Sequence, residues 1–185
     1  MKNKYKYITI VGSTCSGKTT LARHLSRILH IPHIELDAIY WGPDWTAKSF
    51  PEFRKEVEEI VERDSWIIEG NYMSVQDIVL SKAELVIWLN YSFPLVFYRA
   101  LTRTIKRMIT QEEVFSGNKE RFVEQFFTRN SLLYWVIKTY KKKKDNMRFI
   151  FDHNIYSNAK KIELDKTREI RDFLNSINES TLKRQ

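Results

Sequence analysis

Short continuous apolar runs alternate with longer stretches of helical period along this chain, and their order predicts a fold before any single residue is considered. The first run, YKYITIV (5–11), is rich in β-branched residues and ends at Gly12. The segment after it, GKTTLARHLSRILH, places Leu21, Leu25, Ile28 and Leu29 at helical spacing. This is a strand, a glycine loop and a helix. Pro32 bars continuation of that helix, so HIELDAI (33–39) reads as a second strand ending at Asp37. SFPEFRKEVEEIVERD carries Phe53, Val57, Ile60 and Val61 on one face, with Ser49 or Pro51 as start signals, and predicts an amphipathic helix. WIIEGN (66–71) and AELVIWLNY (83–91) read as the third and fourth strands. Near-continuous apolar strands separated by helices predict a parallel sheet buried on both faces.

The second half is helical first. SFPLVFYRALTRTIKRMI has Ser92 as a cap and Pro94 in its first turn, and Arg99, Arg103, Lys106 and Arg107 fall on one cationic stripe. TQEEVFSGNKER (110–121) breaks the period, which RFVEQFFTRNSLLYWVIKTYKKKK resumes through Phe122, Phe126, Leu133, Ile137 and Tyr140. Two helices joined by a connection are expected, with the lysines at 141 to 144 forming the solvated end of the second. RFIF (148–151) and KKIEL (160–164) are both strand candidates. The second is preferred, because TREIRDFLNSI follows it as a capped closing helix.

Composition adds scale and one asymmetry. The 185 residues, 43% apolar and 29% charged, suit one globular domain spanning 1–185. No run approaches the roughly 18 apolar residues of a membrane span, and the lone Cys15 cannot form an internal disulfide; both lead us to expect a soluble, cytoplasmic protein. The net charge of +8 is confined to residues 92–149, which hold 13 Lys and Arg against 5 Asp and Glu, the rest of the chain having 18 of each. A neutral body with one basic segment points to an anionic ligand, either polyphosphate or nucleic acid.

GSTCSGKT (12–19) satisfies the phosphate-loop pattern G-x-x-x-x-G-K-[ST], and it lies where the mechanism requires, between a strand and a helix. Gly12, Ser13, Thr14, Cys15, Ser16, Gly17, Lys18, Thr19 and Thr20 are therefore the expected ATP-binding residues, with Lys18 reaching the β- and γ-phosphates and Thr19 a ligand of Mg²⁺. Modification of Cys15 at this helix start would block nucleotide entry. No guanine-reading [NT]-K-x-D and no transporter signature accompany the loop, which leaves the small P-loop kinase design.

Two acidic residues fit that design. Asp37 at a strand end could orient or deprotonate an acceptor hydroxyl, and Glu69 could hold Mg²⁺ through water. Tyr40, Trp41 and Trp45 in AIYWGPDW either line the acceptor pocket or pack as a flap on the sheet. Gly70, Asn71 and Tyr72 lie at the same edge, and Arg54 is a further candidate for an anionic group. A kinase must also compensate charge on the transferring phosphoryl group. Arg103, Arg107 and Arg121, from a pool that includes Arg99 and Arg129, are the expected catalytic arginines because they flank the break at 108–120.

These pieces together resemble the adenylate-kinase-related P-loop proteins known as DNA topology modulation proteins, of the FlaR type. The resemblance runs through GSTCSGKTT, ELDAIYWGPDW, WIIEGNY, LVIWLNY, the arginine series, GNKE (117–120) and WVIKTY (135–140), over about residues 5–175. It implies a three-layer α/β/α fold of the nucleoside-kinase type, with a five-stranded parallel sheet, ATP on Gly12 to Thr20 and a helical lid near 108–125. Glu69 departs from it, since related kinases usually carry Asp there. Two functions follow as expectations: an ATP-dependent kinase of a small acceptor, such as a nucleotide or nucleoside, or an ATP-regulated DNA-binding protein that modulates DNA topology. The kinase is preferred, because the excess charge lies where a lid needs it.

Overall fold

The computed structural model describes residues 4–110, 131–156 and 158–182. Strands β1 (Tyr7–Gly12), β2 (His33–Glu35), β3 (Trp66–Glu69), β4 (Leu85–Leu89) and β5 (Lys160–Leu164) pair in parallel as one sheet, ordered β2-β3-β1-β4-β5. The described helices are α1 (Lys18–Leu29), α2 (Leu36–Tyr40), α3 (Phe50–Val61), α4 (Gln76–Lys82), α5 (Phe93–Thr110), α6 (Leu132–Asp152) and α7 (Thr167–Leu182). This is the expected α/β architecture.

Successive residues of a strand face opposite sides of a sheet, and here both sides are dry. Val11, Ile68, Val86 and Trp88 pack with Phe53, Val57, Val79 and Met147 on one side. Ile8, Ile10, Ile67 and Ile87 pack with Leu21, Leu25 and Val96 on the other. Burial on both faces is why the strands read as continuous apolar runs. Because β1 lies between β3 and β4, with Ile10 opposite Glu69 and Gly12 opposite Leu89, the carboxyl ends of three strands meet where the glycine loop begins.

Local signals explain the element ends. Ser49 caps α3 through a reciprocal capping box with Glu52, and Pro51 sits in the first turn. The expected second strand is shorter than its apolar run. It stops at Glu35, and residues 36–40 turn into α2, so Asp37 lies in the first turn of a helix and not at a strand end. The partner runs out first: β2 pairs only with β3, and Glu35 is already opposite Glu69, the last residue of β3. Leu36 then buries itself over Gly70, where a Cβ would lie 2.8 Å from that of Leu36 and φ is +143°. Only glycine permits this close approach.

In α6 the lysines at 141 to 144 are interior, not terminal, because the helix continues to Asp152 and absorbs residues 148–151. No Gly or Pro interrupts 132–152, and Met147 and Ile150 extend its buried face. That face is rotated from the expected one: Val136 is 2% exposed and Ile137 56%. The expected lid, with Arg121, Phe122, Phe126, Arg129 and the GNKE turn, falls outside the described residues except for 108–110, which end α5.

Candidate active site

The loop between β1 and α1 is built to face an anion. Cys15 and Gly17 adopt left-handed conformations, with φ of 61° and 95°. The start of α1 has no side-chain cap and no acidic residue in its first turn, so its amides and the positive end of its dipole are left for an external group. Gly17 is exposed, and a Cβ there would meet nothing within 4 Å, so the loop opens to solvent at this point. Ser16 is buried and its hydroxyl has no partner. Lys18 folds back, its Nζ donating to the Ser13 carbonyl at 3.0 Å. Thr14 is half-buried and Thr20 exposed. The open loop, the uncapped helix and the lysine together fit a polyphosphate.

Thr19 Oγ1 donates to Glu69 Oε1 at 2.6 Å. Glu69 is 3% exposed, and burial pushes its carboxyl above the usual range, while Lys18 and Thr19 pull it down and Asp37 and Glu35 add to the rise. A buried carboxylate beside a hydroxyl, both at the mouth of the loop, suits a hard divalent cation, whose charge would offset that cost. His33 and Glu35 enlarge the acidic corner, with one ligand atom each within 4.8 Å of the others and of Glu69. Sequence reasoning missed this pair, whose register against β3 is a product of strand pairing.

Asp37 is held on the same side by Tyr72, whose hydroxyl donates to Oδ1 at 2.5 Å. Burial, and then Asp37 itself, push the Tyr72 hydroxyl far above the normal tyrosine range, so it remains a donor. Tyr40 packs against Trp41, Phe53 and Tyr72 with ring centroids 4.9, 5.0 and 5.0 Å apart, and Trp41 against Trp45 at 5.8 Å. The cluster packs as a flap, and Tyr72 at its edge holds Asp37. Asn71 accepts from Gln76 at 3.4 Å, Gln76 accepts from Asn146 at 2.8 Å, and the Asn71 amide nitrogen is buried without a partner. Arg54 is engaged elsewhere, bidentate to Asp77 at 3.0 and 2.7 Å and paired with Glu58, so its charge is compensated within α3 and α4.

The arginine stripe divides. Arg99 reaches the Ser16 carbonyl at 3.4 Å and Thr167 at 3.2 Å while lying 4.4 Å over the Tyr91 ring. Arg103 contacts Cys15 Sγ at 3.8 Å. Arg107, a turn further along, is half-buried, and Lys106 is exposed. Lys143 of α6 was expected in solvent and is instead half-buried, in electrostatic reach of both Lys18 and Asp37. A sequence signal existed: Lys143 is centred on the stripe of Val136, Tyr140, Met147 and Ile150, with Lys144 at its shoulder, half-buried as well and 5.8 Å from the Tyr140 ring centroid.

No family model and no curated protein matches the chain. Solved structures do. A shikimate kinase from Bacteroides thetaiotaomicron superposes with a TM-score of 0.56 at 18% identity, over 95% of this chain and 97% of that one. A shikimate kinase from Acinetobacter baumannii in complex with shikimate gives 0.53 at 18%, over 98% and 96%. A gluconokinase from Sinorhizobium meliloti 1021 gives 0.54 at 14%, over 96% and 92%. At such identities the likeness concerns the fold, which is the α/β P-loop architecture of these small kinases.

Proposed function

We propose that the protein is an ATP-dependent kinase that transfers the γ-phosphate to a hydroxyl of a small acceptor. One observation carries the reading: Thr19, next to the loop lysine, donates to the buried Glu69 at 2.6 Å, which brings a hydroxyl and a carboxylate together at the mouth of the loop. Lys18 with the loop amides would hold the triphosphate, and Thr19 with Glu69 would hold Mg²⁺. When bound, the ion would neutralise negative charge on the phosphates. Arg99 and Arg103 approach the loop from α5 and would compensate charge developing on the transferred group. In the transfer the acceptor oxygen forms the new P–O bond, the bond from the γ-phosphorus to the bridging oxygen breaks with its electron pair leaving on ADP, and the acceptor proton passes to Asp37.

The fold supports a kinase of this size, and the resemblance to FlaR-type proteins is compatible with it as a family reading. ATP-regulated DNA binding draws less support, because the basic segment directs Arg99 and Arg103 to the loop and pairs Arg148 with Glu163. Among the described residues no helix is long and apolar enough to cross a membrane, in keeping with a cytoplasmic role. The test is ADP release from Mg·ATP, alone and with pools of nucleosides, nucleoside monophosphates and hydroxylated metabolites. Stimulation by one pool, lost in Lys18→Ala, establishes the kinase, and a Lys18→Ala protein with near-full turnover removes it.

A further inference from the structure

Five residues of α6, Val136, Tyr140, Lys143, Met147 and Ile150, follow i, i+4, i+7, i+11 and i+14, which is one stripe of an α-helix. Val136, Met147 and Ile150 are buried, and Tyr140 donates to the Tyr91 carbonyl just past the end of β4. The stripe therefore lies along the carboxyl edge of the sheet, with a lysine at its centre. Among the described residues the Lys143 ammonium lies 5.6 Å from the Trp135 ring centroid, and no carboxylate is within ion-pair distance of it. An ammonium on a packed stripe without a counter-ion is unfavourable, and burial, followed by repulsion from Lys18, lowers its pKa to about 8 against the opposing pull of Asp37.

The position of Lys143 selects its partner. One turn along α6, Asn146 donates to Gln76, which donates to Asn71, and Met147 accepts from the same Gln76 amide at 3.3 Å. This anchors the Lys143 region to the flank where α4 meets α6, beside Asn71 and its unpartnered, buried amide nitrogen. The cations that approach the nucleotide loop, Arg99 and Arg103, come instead from α5. An ammonium on this flank, within reach of Asp37 and Lys18 and with no carboxylate paired to it among the described residues, matches an oxyanion.

We infer that Lys143 binds the acceptor, and that the acceptor carries, besides the hydroxyl facing Asp37, an oxyanion received by Lys143: a carboxylate or a phosphate monoester. This names a substrate class for the proposed kinase and rests on that reading for its site.

The experiment compares wild type, Lys143→Met, Lys143→Arg and Lys18→Ala. Acceptor binding is measured by calorimetry on protein saturated with a non-hydrolysable ATP analogue, and turnover by ADP release. Three probes are used: hydroxycarboxylates, nucleoside monophosphates, and neutral nucleosides with neutral sugars. The first two distinguish the sources of the oxyanion. We expect one anionic probe to bind, Lys143→Met to weaken it on the order of 10- to 100-fold with the KM for ATP unchanged, and Lys143→Arg to restore much of the affinity. Methionine suits a buried stripe, so Lys143→Met keeps its melting temperature or raises it. Binding of neutral probes as tightly as anionic ones, no binding by either anionic probe, or a rise in the KM for ATP in place of the acceptor effect would each overturn the assignment. If an anionic probe binds through Lys143 but no probe stimulates turnover, the anion site stands and the kinase reading falls.

Discussion

Thr19 donates its hydroxyl to Glu69 across 50 residues of sequence, at 2.6 Å. The contact joins the start of α1 to the carboxyl end of β3 and makes one corner of two groups that the chain keeps far apart. It also leaves a carboxylate almost wholly buried with burial as the largest influence on its ionisation.

Replacing Glu69 by Gln removes the charge and keeps the shape. We expect unchanged or higher thermal stability, because a buried charge is lost. ADP release should fall about 10- to 100-fold and demand more Mg²⁺. A magnesium titration that superposes on wild type would remove Glu69 from the metal site.

Lys18→Ala should leave the circular-dichroism spectrum and melting temperature near wild type, because the hydrogen bond of Lys18 to the Ser13 carbonyl is local to the loop. Its kcat should drop by about 10² to 10³-fold or more. Calorimetry with ATP separates lost affinity from lost chemistry.

Tyr72→Phe deletes the donor to Asp37 while keeping the ring against Tyr40 and Phe53. The expected cost is about 1–3 kcal/mol of stability, read by urea unfolding. Turnover should fall with the KM for ATP unchanged, because Asp37 loses its fixed orientation and the loop does not.

Lys143 sets a pH dependence. Its pKa in the fold, about 8, lies below its ordinary 10.5, with Lys18 acting alongside burial and Asp37 against it. Between those values the unfolded chain holds more protons than the folded one, so this residue's contribution makes stability rise with pH in that window. Lys143→Met abolishes the effect. The melting-temperature gap between Lys143→Met and wild type should be widest below about pH 8 and close towards pH 10.5. A gap independent of pH would show that Lys143 is solvated.

Cys15 lies beside Arg103 in the loop. Alkylation by N-ethylmaleimide should abolish ATP binding, with ATP protecting the thiol and Cys15→Ser escaping inhibition. Full ATP affinity after stoichiometric labelling would place the thiol outside the nucleotide path.

The sheet was legible in the sequence because burial on both faces writes itself as unbroken apolar runs. Ile8 to Val11, Trp66 to Ile68 and Leu85 to Leu89 need no partner to be recognised as interior. The phosphate loop was legible for a similar reason: the glycines, Lys18 and Thr19 act through local geometry over eight residues. Asp37, Glu69, Asn71 and Tyr72 could be nominated from their places after apolar runs. What they do for one another could not, because the Tyr72–Asp37 and Thr19–Glu69 contacts depend on strands that are neighbours only in the folded sheet.

Other features were decided by tertiary structure alone. Glu35 ends β2 because β3 ends opposite it, a limit set by the partner and invisible in HIELDAI. Arg54 looked available until α4 brought Asp77 to it. A run of four lysines reads as a solvated surface by composition, and Lys141 and Lys142 obey that reading, while Lys143 and Lys144 are half-buried. The difference arises because a helix surface becomes an interior only where another element covers it. The sequence by itself determined which segments form the sheet and its helices and where the glycine loop lies between them; the packing of α6 over the sheet edge decided which of its lysines are drawn inward, since helical period assigns a face but only a neighbour makes that face the inside.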